Sequence, residues 1–225
     1  MCAMPVPVRL FHITAIDNLA AIFSESALLC KTLSDTKGLG YHNIAHAGAQ
    51  GTRAGKAVID PPGGGIHDYV PFYFAPRSPM LSAIHHKQVA GCPYRQADIV
   101  YFELLVRQVV QKGAEFVFYD RNATKNYSVA YTDPHQLKNA IDWELLTEPP
   151  TLDGFCKFFH DRHEPAKYLD RREKRQAEFL IKDSVPVSWF TRLGVIDNHK
   201  ASIVQQMANE HGVNLAVDVM PDWYF

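Results

Sequence analysis

The run Asp68-Tyr69-Val70-Pro71-Phe72-Tyr73-Phe74 puts four aromatic rings into seven positions around a proline. Such residues suit a pleated, half-buried surface, so the run predicts a strand. Pro71 has no N–H for a ladder and predicts an edge or first position for it. On the upstream side, Leu10-Phe-His-Ile13 reads as a short strand. A helix follows, carrying Leu19, Ile22, Phe23 and Leu28 with Asp17 as its N-cap. On the downstream side, Ser78–Val89 reads as a helix entered through Ser78-Pro79, and Ile99–Val110 as the strongest strand. Ala114–Phe118, Ala177–Ile181 and Asn214–Val219 are further strands, and Asp197–Gly212 is a terminal helix. Lys31–Gly65 has little apolar periodicity and predicts a long loop with one short helix, of the kind that carries function. With no repeat and no linker, the pattern is that of one α+β domain over residues 1–225.

At 225 residues, 47% hydrophobic and a formal net charge of −1, the chain can build a core and is neither disordered nor coiled coil. Its longest apolar stretches fall far below the roughly 20 residues of a membrane span, and Met1–Arg9 lacks the features of a secretory signal. Cys2, Cys30, Cys92 and Cys156 are widely spaced, which fits reduced thiols and a cytoplasmic location. Near-zero net charge means that nucleic-acid binding would need a local patch.

Several generic motifs fail on inspection. Gly51-Thr-Arg-Ala-Gly55-Lys56-Ala57 has the wrong spacing for a phosphate loop and no hydroxyl for magnesium, and Gly63-Gly64-Gly65 reads as a tight turn. The pairs His42/His46 and His160/His163 have helical ligand spacing but no third ligand in pattern, so no metal is expected. Three polar residues keep two readings. Glu178, between Ala177 and Phe179, is on a solvated face or in a lined cleft. His12, between Phe11 and Ile13, is a core histidine or a ligand contact, sharing its strand face with Thr14. Arg53 in its Gly/Ala-rich segment is a solvated side chain or an anion contact.

Five segments together resemble the DarT family, the DNA ADP-ribosyltransferase toxins of bacterial toxin–antitoxin pairs. They are Phe11-His-Ile-Thr-Ala-Ile-Asp-Asn-Leu19, the seventeen residues Gly64–Met80, Phe116-Val-Phe-Tyr-Asp120, Arg175-Gln-Ala-Glu-Phe-Leu180 and Pro221-Asp-Trp-Tyr-Phe225. The resemblance implies an ADP-ribosyltransferase-like split mixed β-sheet with flanking helices and an NAD cleft between its halves. It also implies transfer of ADP-ribose from NAD to a ring nitrogen of thymidine in single-stranded DNA, with a DarG-like macrodomain antitoxin as partner. Guanosine, RNA or protein as acceptor, or a non-catalytic single-strand binding module, are the alternatives.

By the same resemblance Glu178 is the catalytic glutamate, and Arg53 acts in catalysis near the acceptor base or the pyrophosphate. His12, Thr14 and Asn18 contact NAD from the first strand, the imidazole donating to the adenosine-side ribose, and Tyr73 and Met80 line the nicotinamide pocket. Tyr41, His42 and His46 are candidate DNA contacts by position. The basic stretch Asp161–Arg175, with Arg171, Arg172 and Arg175, is expected to track the DNA backbone.

Overall fold

The structure is a computed structural model that describes residues 4–45 and 47–225. Cys2 and His46 therefore lie outside the described residues. Eight strands form the main sheet: β1 (Arg9–Ala15), β2 (Tyr69–Tyr73), β3 (Ile99–Leu105), β4 (Phe116–Tyr119), β5 (Ala130–Tyr131), β6 (Glu178–Lys182), β7 (Arg192–Val195) and β8 (Val217–Val219). Their spatial order is β8-β7-β3-β1-β2-β6-β4-β5. β7 and β8 run parallel and the other neighbours antiparallel, which makes the sheet mixed, as expected.

The centre of this sheet is split. β1 pairs with β3 along its whole length, from Arg9↔Leu105 to Ala15↔Ile99, and β2 pairs with β6 from Tyr69↔Lys182 to Tyr73↔Glu178. Between β1 and β2 the register has the single pair Phe11↔Tyr73. Pro71 explains part of the gap. Within an antiparallel strand a residue's N–H and C=O point to the same neighbour. The Pro71 carbonyl is bonded by His12 from the β1 side, so the N–H that proline lacks would also have faced β1. The expectation of an edge or first-position strand is thus corrected: β2 is interior, and its proline is accommodated because one flank opens onto a cleft.

Strand alternation sorts the faces. Phe11 packs edge-on against Tyr101, Phe155 and Trp223 in the main core, while His12 and Thr14 face the other way. Across the split, Phe179 stacks on Phe118 and Phe116, leaving Glu178 opposite Tyr73 and Tyr119 on the cleft side. The core closes around the last residues: Trp223 lies over Gly194, where an added Cβ would come within 2.2 Å of the indole, and the Tyr224 hydroxyl donates to the Ile99 carbonyl at 2.8 Å.

After β1 comes α1 (Leu19–Ser24); α2 (Lys31–Thr36) and α3 (Ala47–Ala54) then border the cleft. The segment expected to hold one short helix therefore holds two, followed by a small hairpin pairing Ala57–Val58 with Gly64–Gly65. The Gly63–Gly65 turn is the hairpin return, with Gly63 and Gly64 at φ +76° and +99°, the left-handed region open to glycine. Asp17 does not cap α1; it lies in a 3₁₀ turn before it and accepts from the Tyr94 hydroxyl at 3.0 Å. Ser78 caps the next helix, α4 (Pro79–His85), by accepting from the Leu81 N–H at 3.2 Å, and Asp197 caps the last, α5 (Asn198–Glu210). No described helix is long and apolar enough to cross a membrane.

Candidate active site

A cavity of about 680 Å³ occupies the split. His12, Thr14, Tyr41 and His42 line it together with Met80, and so do Arg53, Tyr73, Asn122, Gln176 and Glu178. The fold thus brings together residues from three of the five segments quoted above.

At one end, His12 is held by its Nδ1–H, which donates to the Pro71 carbonyl at 2.8 Å. Burial pushes its pKa down to about 4, only partly opposed by that bond. The ring is therefore neutral near pH 7, and with the proton on Nδ1 its Nε2 is an acceptor. The expected role of His12 as a donor is corrected on this ground: its free nitrogen accepts, which matches a sugar hydroxyl acting as donor. Beside it, Thr14 is buried, its hydroxyl shared between Asn18 Nδ2 at 2.8 Å and the Tyr41 hydroxyl at 3.2 Å. Tyr41 keeps 38% of its surface exposed as it overhangs the cavity, while burial of its hydroxyl end pushes its pKa up to about 12.

Asn18 does not line the cavity. It is 1% exposed; its amide donates to Thr14 and to the His42 carbonyl at 3.0 Å, and its Oδ1 accepts from the His42 N–H at 2.8 Å. With both N–H groups and the carbonyl engaged, the expected NAD contact becomes a pin that fixes the Tyr41–His42 segment over the cleft.

At the other end, Glu178 is 2% exposed and paired with Arg53, whose Nη1 lies 2.9 and 3.1 Å from the two carboxylate oxygens. The pair joins β6 to α3 across 125 residues of chain. A carboxylate this deep needs a partner, and a guanidinium supplies the charge-assisted bonds. Tyr73, opposite Glu178 in register, has its phenol pKa raised by burial first and by the Glu178 charge second.

The basic stretch behaves differently from expectation. Arg171 is 1% exposed, bonded to Glu148 at 2.5 Å, with its guanidinium 4.0 Å from the Tyr168 ring centre. Arg175 is 4% exposed and donates to the carbonyls of Pro76 at 2.9 Å and Cys156 at 3.3 Å; burial lowers its pKa to about 10. Both tie the chain before β6 to the protein interior, so neither offers a surface contact to DNA. Arg172 is exposed but does not line the cavity. Asn122 and Gln176 escaped sequence reasoning, although Gln176 stands two residues before Glu178, the spacing that shares a strand face. They touch each other, Asn122 Nδ2 donating to Gln176 Oε1 at 3.4 Å.

A family profile described as "ssDNA thymidine ADP-ribosyltransferase, DarT" matches residues 11–225. The chain belongs to the DarT family. A DNA ADP-ribosyl transferase of Thermus aquaticus is 34% identical over 229 residues, spanning 99% of this chain and 91% of the relative. One of Escherichia coli O127:H6 is 32% identical over 183 residues, 81% of this chain and 78% of that one. In structure, this DarT-family chain is similar to Thermus sp. 2.9 DarT in complex with ADP-ribosylated ssDNA, with a TM-score of 0.86 at 30% identity over 100% of this chain and 99% of the other. The same protein in complex with NAD+ gives a TM-score of 0.78 at 29% identity over 98% and 99%.

Proposed function

We propose that this chain transfers ADP-ribose from NAD to thymidine in single-stranded DNA as a single domain spanning residues 1–225, with Glu178 as the catalytic carboxylate. The observation that carries the reading is the placement of a buried carboxylate and a neutral, acceptor-poised imidazole in one cavity within the split sheet. Family membership and the NAD and ADP-ribosylated ssDNA complexes of the Thermus relative support it.

NAD supplies a ribose whose bond to nicotinamide breaks with positive charge developing on the sugar, as in glycoside hydrolysis. Glu178 faces that charge from a preorganised position, stabilising it without reorganisation of solvent. Arg53 orients both carboxylate oxygens toward the cavity. His12 accepts from a ribose hydroxyl through Nε2, and Thr14 and Tyr41 hold the wall behind it. Tyr73 and Met80 border the same space and complete the apolar lining. The acceptor nitrogen of a paired thymine is engaged in the duplex, which favours a single strand.

A toxin acting on DNA requires a cognate antidote, and a DarG-like macrodomain partner is part of this reading. The unpaired described cysteines, Cys30, Cys92 and Cys156, agree with a cytoplasmic setting. The test is to incubate the protein with NAD and oligonucleotides that differ in one base, and to measure mass. A gain of one ADP-ribose confined to thymidine-containing single strands is expected. Modification of guanosine, RNA or protein instead, or DNA retention with no mass change, overturns it.

A further inference from the structure

The connection between β4 and β5, residues 120–129, borders the Glu178 end of the cavity and is built as a ledge. Asn122 anchors its start: its Oδ1 accepts from the Thr124 N–H at 3.0 Å and the Thr124 hydroxyl at 2.6 Å, while its amide reaches Gln176. Thr124 and Lys125 line the cavity itself. Asn126 then joins the ledge to the chain just after α3, accepting from Lys56 Nζ at 3.2 Å. Tyr127 follows with 58% of its surface exposed, its hydroxyl bonded to Glu173 in the helical turn that precedes β6. The ledge thus bridges the two segments that carry Arg53 and Glu178.

Two features of this ledge need explaining. A tyrosine fixed at its hydroxyl end, with its ring face left to solvent, gains little from burial. Lys125 and Lys56 form no ion pair with a carboxylate among the described residues, as most of the lysines do not, but these two meet on the ledge at Asn126, which Lys125 precedes in the chain and Lys56 bonds. A held aromatic face beside two uncompensated cations matches single-stranded nucleic acid, which is bound by base stacking and by cations along the phosphates.

We propose that this ledge is the acceptor-strand platform: Tyr127 stacks a base next to the target nucleotide, and Lys125 and Lys56 neutralise the phosphates that lead into the cavity. The inference rests on the reading of the chain as a DNA ADP-ribosyltransferase. It moves the DNA track from Arg171 and Arg175, which are buried, to the exposed ledge that Tyr127 ties to Glu173 of the same stretch.

The test uses the full chain and a fluorescent thymidine-containing single strand, with Kd read by anisotropy across a salt series. Tyr127→Ala should weaken binding by about 10-fold, from the usual worth of one stacked base. Tyr127→Phe keeps the ring but drops the bond to Glu173, and should bind as the parent does. Lys56→Gln/Lys125→Gln should flatten the slope of log K against log salt by roughly 1.4, at about 0.7 per phosphate contact on single strands. Unchanged Kd and slope in the alanine and glutamine variants overturn the platform. So does Tyr127→Phe weakening binding as much as Tyr127→Ala, because that pattern marks loop anchoring in place of stacking. Mass gain by the parent protein, measured in parallel, keeps the claims apart: its absence defeats the functional reading, whereas its presence with unchanged variants defeats only the platform.

Discussion

The two ends of the cavity solve the problem of a buried polar group in opposite ways. At the His12 end charge is avoided: the imidazole is neutral, and Thr14 and Asn18 satisfy one another. At the Glu178 end charge is retained and matched by Arg53, the sole ion-pair partner of Glu178 among the described residues. A neutral wall with one free acceptor, His12 Nε2, can hold a sugar through shape and a directed hydrogen bond in the ground state. A carboxylate facing a developing cation gains most of its interaction in the transition state. On the proposed reading the difference puts binding on β1 and chemistry on β6, and each half can be broken separately.

The largest effect belongs to Glu178→Gln, which keeps the side chain's shape and removes its charge. Transfer to thymidine strands should slow by roughly 10²–10³, the worth of one preorganised electrostatic group. Oligonucleotide mass analysis measures it, and a circular dichroism spectrum like the parent's shows that the fold is kept. A residual rate near the parent's would break the assignment of chemistry to β6. Arg53→Ala comes next. Losing hydrogen bonds to a charged group is worth about 1.5–3 kcal/mol, so kcat should fall by roughly 10–150-fold, with Arg53→Lys between the two. An effect confined to KM would place Arg53 with the binding wall.

His12→Ala should act mainly on KM for NAD, raising it by about 5–10-fold for one lost neutral hydrogen bond, while kcat moves less. His12 also makes a pH prediction. The unfolded chain takes up a proton on this ring as pH falls through 6.5, whereas the folded protein resists until about 4. The unfolded state therefore binds more protons across that window, and this residue's contribution to stability is whole above pH 6.5 and lost as pH falls toward 4. Chemical denaturation between pH 7 and 4.5 should show a shallower decline in His12→Gln than in the parent. An NMR titration that finds His12 charging near 6.5 would break the claim of a neutral wall. The smallest effect is that of Tyr41→Phe, which removes one shared hydroxyl bond to Thr14: a rise of a few-fold in KM for NAD, read in the same assay.

Much of the scaffold was legible because strand alternation is a local signal. His12 opposite Phe11, and Glu178 opposite Phe179, had their facing settled by period alone. What lined those faces was not settled, because solvent and cleft demand the same residue types; there the resemblance carried the reading. The misreadings share a physical cause. Arg171 and Arg175 sit in a charge-dense stretch that by composition belongs outside, and only Glu148, Tyr168 and two carbonyls supplied by tertiary structure make their burial tolerable. Asn18 lies in the right segment but one turn past the strand, and bonds backbone instead of ligand. α3 was hidden by its own composition: Ala-Gly-Ala-Gln-Gly-Thr-Arg-Ala lacks an apolar stripe, and its placement over the cleft is secured by Arg53 reaching Glu178.

Pro71 has a consequence for redesign. The aperture between the half-sheets begins in part with an absent donor in the polypeptide itself, so it does not rest on side chains alone. Residues around it can be exchanged to suit a different nucleobase or sugar while the slot persists. Restoring an amide hydrogen at that one position would instead let the two flanks begin to zip together.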